Sequence, residues 1–298
     1  VQNSIAFELV LQYFFIQMKY RRITIDLEEL GLPGVPLVGK SNIDSAEDGL
    51  VTHIHHGLME ICYMSKGERV YNVAGRDYRM RGNEFFITEP NERHGSGKNP
   101  HGKGMLYWMQ VAIPAKPRPF LTLSGKEAFP LLTQLGCISR RCFPGHKRVA
   151  GIFEEIIELE LSAEQPLNRL TIANLVIEFL LLVISCSKSQ DPTGLSTDIA
   201  ELIKKLESDP SANYSIMELA EFAGLSESRF KAKFKEQTGI PPSEFMLRNK
   251  IEKAIEMLRE GKFSITEIAF RLGFSSSQYF STVFKRFTNQ TPKEKRSS

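Results

Sequence analysis

The spacing of apolar residues divides this chain into a strand-like part and a helical part. From Ile23 to Pro119 the runs are short and rich in β-branched and aromatic residues: "GLVTHIH", "EICYMSKG", "RVYNVAG", "RDYRMRGNEFFITEP" and "GMLYWMQVAIP". Gly, Pro and Asn punctuate them, and short strands at regular intervals predict a sandwich or barrel. After Lys126 the period changes. "AGIFEEIIELELSAEQ" and "NRLTIANLVIEFLLLVISCS" carry apolar residues at helical spacing, and the second is apolar almost all round, so its own domain or a second subunit must cover it. "SKSQDPTGLSTD", Ser187 to Asp198, is polar and holds both Pro and Gly, as a linker does. Beyond it the chain reads as helices joined by short turns. The expected organisation is multidomain α and β: a barrel over residues 1–140, a helical dimerisation segment and linker over 141–190, and an all-α domain over 191–298.

The last domain says nearly the same thing twice. "GLSESRFKAKFKEQTGIPP", Gly224 to Pro242, returns as "GFSSSQYFSTVFKRFTNQTP", Gly273 to Pro292. A short amphipathic helix, "SIMELAEFAG" or "SITEIAFRLG", leads into each copy, a glycine provides its left-handed exit, and Ser226 or Ser276 is placed to cap the next helix. That is helix-turn-helix grammar. At ~100° per residue, Phe230 and Phe234 in one copy and Phe280, Phe284 and Phe287 in the other share a face and should be buried. The opposite face is then Ser228, Ala232 and Lys235, flanked by Arg229 and Lys231, and in the second copy Gln278, Thr282 and Lys285, flanked by Ser277, Tyr279 and Ser281. These side chains suit a major groove: Gln pairs two-pronged with adenine, Arg and Lys donate to guanine, and a Thr or Ala methyl rests on a thymine methyl. Lys235, Lys285 and Arg286, at the far helix ends, are better placed for phosphates. Between the copies "SEFMLRNKIEKAIEMLREGK" predicts a helical rod of about 27 Å at ~1.5 Å per residue, near the ~34 Å between successive major grooves on one DNA face. The duplication thus predicts one chain reading two adjacent segments of double-stranded DNA.

Charge agrees in its location. The net charge is +3 over 298 residues; residues 196–298 hold 17 Lys and Arg against 14 Asp and Glu, leaving 21 of each sign in the remainder. All the excess positive charge lies with the repeat, where a polyanion would bind. The apolar run "AFELVLQYFFIQM" is broken by Glu8 and Gln12 and is followed by no cleavage-site pattern, so neither a membrane span nor export is expected. Cys62, Cys137, Cys142 and Cys186 form no C-x-x-C pair or zinc-finger spacing, which fits reduced thiols in a cytoplasmic protein.

The run Ile216 to Arg296 resembles the DNA-binding domain of the AraC/XylS family of bacterial transcription regulators, through "ITEIAFRLGFSSSQYFSTVFKRFTNQTP", Arg248, Ala254 and the terminal Arg296. It departs from that pattern where Asn289 replaces a usual Gly and Lys295 a usual aromatic; Asn tolerates positive φ better than most residues. The resemblance implies a homodimeric regulator that contacts RNA polymerase and carries a variable N-terminal sensor, often a cupin-like β-barrel. The sequence is similar to one: His53, His55, Glu60 and Gly67 keep the spacing of the first cupin motif, and Gly82 to His94 resembles the second, although Glu47 stands where a glycine is usual.

Read as a strand, this stretch turns His53 and His55 to one face. With Glu60 and His94 they are candidates either for a divalent metal or for polar contacts to a small molecule, and the second is expected, with no metal or other cofactor. Trp108, Tyr107, Tyr63, Tyr78, Arg79 and Arg81 are candidate walls for a small polar effector such as a sugar, Trp108 and Arg81 foremost; barrel packing is an equally simple role for Trp108. A metal-dependent cupin enzyme fused to a DNA-binding domain is the alternative. No nucleophile–base pair or carboxylate pair stands out, and an enzyme has no use for a two-headed groove reader, so no enzymatic activity is expected.

Overall fold

The computed structural model describes residues 22–162, 167–189 and 194–297. The apolar N-terminal run and part of the linker lie outside the described residues. Among the described residues eight antiparallel strands form the sheet: β1 (Arg22–Ile25), β2 (Leu37–Ile43), β3 (Leu58–Val73), β4 (Arg76–Arg81), β5 (Glu84–Thr88), β6 (His94–Gly95), β7 (Gly104–Ala112) and β8 (Cys142–Pro144). The main sheet runs β1-β2-β7-β3-β5-β8, and β4 and β6 pair with the far half of β3. Two runs that look separate in the sequence, "EICYMSKG" and "RVYNVAG", are one 16-residue strand. A register shift lies between Met64 and Lys66, and Gly67 just beyond it takes φ +92°; a Cβ there would meet the Lys103 carbonyl at 2.4 Å. The strand leaves one layer at this corner and enters the other. "GLVTHIH" is not a strand: only His53 pairs, in an isolated bridge with His94.

Alternation along β3 and β7 sorts side chains between two environments. Ile61, Tyr63, Tyr107, Met109 and Val111 face outward into a core shared with three helices, α1 (Gly125–Gly136), α2 (Arg148–Leu161) and α3 (Asn168–Ser187). Cys62, Met64, Leu106 and Trp108 face the barrel interior. The greasy helix α3 is therefore covered by its own domain, against α1, α2 and the sheet: Ile172, Val176, Phe179, Leu180 and Val183 are fully or almost fully buried there, while Leu170 and Leu181 stay exposed. The helices α2 and α3 thus build one core with the barrel, and β8 extends its sheet.

The C-terminal domain consists of α4 (Thr197–Ser208), α5 (Ile216–Phe222), α6 (Glu227–Thr238), α7 (Pro242–Glu260), α8 (Ile265–Arg271), α9 (Ser277–Thr288) and α10 (Pro292–Ser297). Matching capping boxes, Ser215 with Glu218 and Ser264 with Glu267, start α5 and α8, and Gly224 and Gly273 follow them at φ +64° and +72°. Phe230, Phe234, Phe280 and Phe284 are wholly buried, each contributing about 1.5–3 kcal/mol, whereas Phe287 is half-buried. The two copies have separate cores, joined by α7. Asn289 ends α9 at φ +59°, the role Gly239 takes after α6 at φ +75°.

Close approach within the sheet is tightest at Gly39, which pairs with Trp108 across β2 and β7. A Cβ on Gly39 would lie 2.2 Å from the indole, so the ring lies flat on bare backbone. Gly39→Ala should destabilise the protein by about 1–3 kcal/mol, read as a fall in urea midpoint at unchanged m-value.

Candidate ligand cavity and nucleic-acid interface

Three imidazoles converge at one end of the barrel. His53, on the extended segment before β3, sits with its Nε2 3.2 Å from His55 Nε2, and its bridge to His94 in β6 brings those rings to 4.3 Å. One nitrogen from each of the three histidines lies within 4.8 Å of the others. Backbone carbonyls fix two tautomers: His53 Nδ1 donates to Val51 at 2.9 Å and His94 Nδ1 to Glu92 at 3.0 Å. Both Nε2 atoms, in the neutral rings, then present lone pairs to the centre. Glu60, buried on β3, closes the group at 3.4 Å from His55 Nε2 and 3.5 Å from His94 Nε2, with the Gln110 amide donating to it at 3.3 Å.

Burial alone would raise the Glu60 carboxyl, but His55 and His94 outweigh it and hold the group well below the usual carboxylate range. Burial pulls His53 below its ordinary value against the lift of the Val51 carbonyl; His94 also suffers burial, yet Glu60 and the Glu92 carbonyl carry it above. The cluster therefore pairs a fixed anion with imidazoles biased in opposite directions. Its donor set fits a first-row divalent cation, held by the three histidines and Glu60, as well as it fits the hydroxyls of a small molecule.

His53, His55 and Glu60 open onto a cavity of about 310 Å³, further lined by Trp108, Tyr71, Arg22, Arg69, His101 and Gln110. Arg81 is elsewhere. It follows the inward-facing Met80 on β4, points away from the barrel and binds Glu207 of α4 at 2.7 Å. Tyr63 and Tyr107 face the helical core and hydrogen-bond Asn83 and Glu154, and Arg79 pairs with Glu252 at 2.6 Å. Sequence reasoning missed Arg69, Tyr71 and His101. Arg69 and Tyr71 lie two residues apart, as cavity neighbours on a strand should, but the irregularity after Met64 changes the parity relative to Glu60 and Cys62, and period-two counting does not carry across it.

On the other domain Ser228, Arg229, Lys231, Lys235, Gln278, Tyr279, Thr282, Lys285 and Arg286 are all exposed on α6 and α9, opposite the buried phenylalanines; Ser277 is half-buried. Lys231 pairs with Glu227 one turn earlier, at 3.2 Å. Both copies touch the barrel. Gly82 and Gly239 meet backbone to backbone, Arg248 of α7 joins Glu68 of β3 at 3.2 Å and the Lys103 carbonyl at 3.2 Å, and the Ala46 amide donates to the Arg286 carbonyl at the end of α9. These contacts leave the polar faces of α6 and α9 free.

A barrel with a polar interior cavity, fused to a duplicated helix-turn-helix unit, defines a ligand-responsive DNA-binding transcription regulator. The chain belongs to the AraC family: residues 51–180 match the AraC-like ligand binding domain and residues 219–298 a helix-turn-helix domain. It is similar to the HTH-type transcriptional activator RhaS of Salmonella arizonae, 26% identical over 247 residues, covering 80% of this chain and 85% of that protein. Among solved structures it is similar to a regulator with an AraC-type DNA-binding domain from Chromobacterium violaceum, at 28% identity over 34% of this chain and 89% of that one, TM-score 0.32. ToxT from Vibrio cholerae matches at 12% identity over 89% of this chain and 98% of that one, TM-score 0.34.

Two predictions follow from side-chain placement. Gln278→Ala should relax specificity at one operator position at a cost of about 1–3 kcal/mol, whereas Lys285→Ala should weaken all sequences alike, as competition binding against single-base operator variants would read. His101 is pushed down to about 3 by burial and then by Arg69 and Arg22, so it stays neutral while the unfolded chain takes a proton below 6.5. Its contribution to stability is complete above that value and lost as pH falls towards 3; melting curves of His101→Gln should show a shallower loss across that window.

Proposed function

We propose that each chain reads two consecutive major-groove segments on one face of DNA, with α6 and α9 as the reading helices, and that a small polar effector such as a sugar occupies the barrel cavity. The observation that carries this reading is the pairing of two exposed polar helix faces on one 19-residue rod, α7, with a polar cavity in the same chain. At ~1.5 Å per residue the rod spans about 28 Å, which suits heads set one helical turn of DNA apart. Ser228, Arg229, Lys231, Ser277, Gln278, Tyr279 and Thr282 face base edges in this reading, and Lys235, Lys285 and Arg286 face phosphates. In the cavity His53, His55, Glu60 and His94 bind effector hydroxyls beside the Trp108 ring. No enzymatic step is assigned: the relatives are named as transcriptional activators, which also supports action through RNA polymerase in the cytoplasm.

Coupling between the two activities runs through the contacts of Glu68, Gly82 and Ala46 with α7, Gly239 and Arg286, which link the barrel to both helix-turn-helix copies. The chain acts as a homodimer, with the exposed Leu170 and Leu181 of α3 as the apolar residues left for a second copy.

Full-length protein titrated with its selected operator duplex tests the reading. Contact with 6–10 phosphates should lower affinity by about 10³–10⁵ between 50 and 200 mM salt, and sedimentation at micromolar concentration should report a dimer. His53→Ala should remove effector-dependent transcription while leaving operator affinity within about twofold. Salt-independent binding, or a variant that responds to effector normally, would refute it.

A further inference from the structure

Arg69 is the least explained charged residue in the barrel. It lies on β3 between Glu68 and Val70, is 6% exposed, and its Nε has no hydrogen-bond partner. Among the described residues no carboxylate comes within 4.0 Å of its guanidinium: Glu68, its neighbour on the opposite face of the strand, is taken by Arg248 and Arg79 at 3.2 and 3.9 Å, and Glu60 is taken by the histidines. A buried guanidinium without a counter-ion is costly, and proteins that keep one normally supply its anion.

The charge sits inside the cavity. Arg69 lines it together with Cys62, Tyr71 and His101; burial pushes the Cys62 and Tyr71 groups up and pulls His101 down, while the charge of Arg69 favours the deprotonated form of each. A second guanidinium, Arg22, stands over the Trp108 ring at 4.9 Å from its centroid and acts on His101 as well, so the two cations flank the same end of the space. His101 cannot serve as their partner, since it is neutral and its Nε2 is already 2.6 Å from Ser96 Oγ. Glu47 also lines the cavity and makes no ion pair with either arginine. The interior thus holds two guanidiniums that act on His101, and Glu60 among the imidazoles.

Resting on the reading of this cavity as the effector site, we propose that the effector is a small hydroxylated carboxylate, a sugar acid rather than a neutral sugar. Its carboxylate is held by Arg69, with Arg22 at its side, and its hydroxyls reach Gln110 and the histidine–Glu60 cluster. The planar fork of Arg69 matches a carboxylate two-pronged and satisfies the orphaned Nε. A phosphate monoester fits less well, because it brings close to two negative charges to one buried cation and faces the ionised Glu60 across the cavity. Arg69 also borders the cleft between the domains and is adjacent in sequence to Glu68, which holds Arg248. Occupation of the carboxylate site is therefore felt one residue from the main ion pair to the DNA-binding domain.

Thermal melting of the full chain with gluconate, glucuronate, glucose or glucose 6-phosphate at about 20 mM tests this directly. The two carboxylates should each raise the melting temperature by about 3 °C or more, and glucose and glucose 6-phosphate by less than about 1 °C. Without ligand, Arg69→Met should melt at or above wild type, since it removes an unpaired buried charge, and it should lose the carboxylate shift; Arg69→Lys should retain part of it. Glucose shifting wild type and Arg69→Met equally would overturn the carboxylate while sparing the cavity as a site for small polar molecules. A larger shift with glucose 6-phosphate would reassign the anion to a phosphate and overturn the proposal, as would no carboxylate shift in wild type. Loss of salt-dependent operator binding in the wild type would instead count against the regulator reading itself.

Discussion

The two-residue period of β3 and β7 is the constraint on which the rest of the molecule depends. Because successive side chains must leave opposite faces of a strand, one pair of central strands supplies two unlike surfaces. Ile61, Tyr63, Tyr107 and Met109 go to the helical core, while Cys62, Leu106 and Trp108 go to the cavity. The helices α2 and α3 are held by the first set and the cavity is shaped by the second. Gly39 belongs to the same constraint, since the cross-strand position facing Trp108 has no room for a side chain.

Polar groups are distributed with comparable economy. The cavity sets Glu60 among three imidazoles, two of them oriented by backbone carbonyls, and carries two guanidiniums in its wall. The outer face of the same barrel spends its charges differently: Glu68, Arg79 and Arg81 pair with Arg248, Glu252 and Glu207 of the DNA-binding domain. Adjacent residues of β3 thus serve two tasks. Arg69 looks into the cavity and Glu68 towards α7, which places the cavity lining and the main ion pair to the DNA-binding domain a single peptide apart.

The DNA-binding half was the most legible part of the chain because its rules are local. Helix period, capping serines and left-handed exits are set by residues within a few positions of one another, so the buried phenylalanines, the exposed polar faces and even Asn289 as a substitute for glycine follow from the letters. The barrel was legible only in outline. His53, His55, Glu60 and His94 do come together, but on an irregular segment and a two-residue strand rather than one regular strand. Arg81 was misplaced because nothing local distinguishes an arginine facing the cavity from one facing a second domain.

What the sequence by itself determined is therefore the class of each half and the identity of the exposed polar groups on α6 and α9, since both rest on short-range periodicity. Only the tertiary structure decided which face of β3 each residue takes after the irregularity at Met64, that α3 is buried within its own domain, and that Arg69 is left without a counter-ion inside the cavity. Each of these depends on pairings between residues far apart in the chain, and a one-residue change in strand parity reverses the outcome without altering the composition.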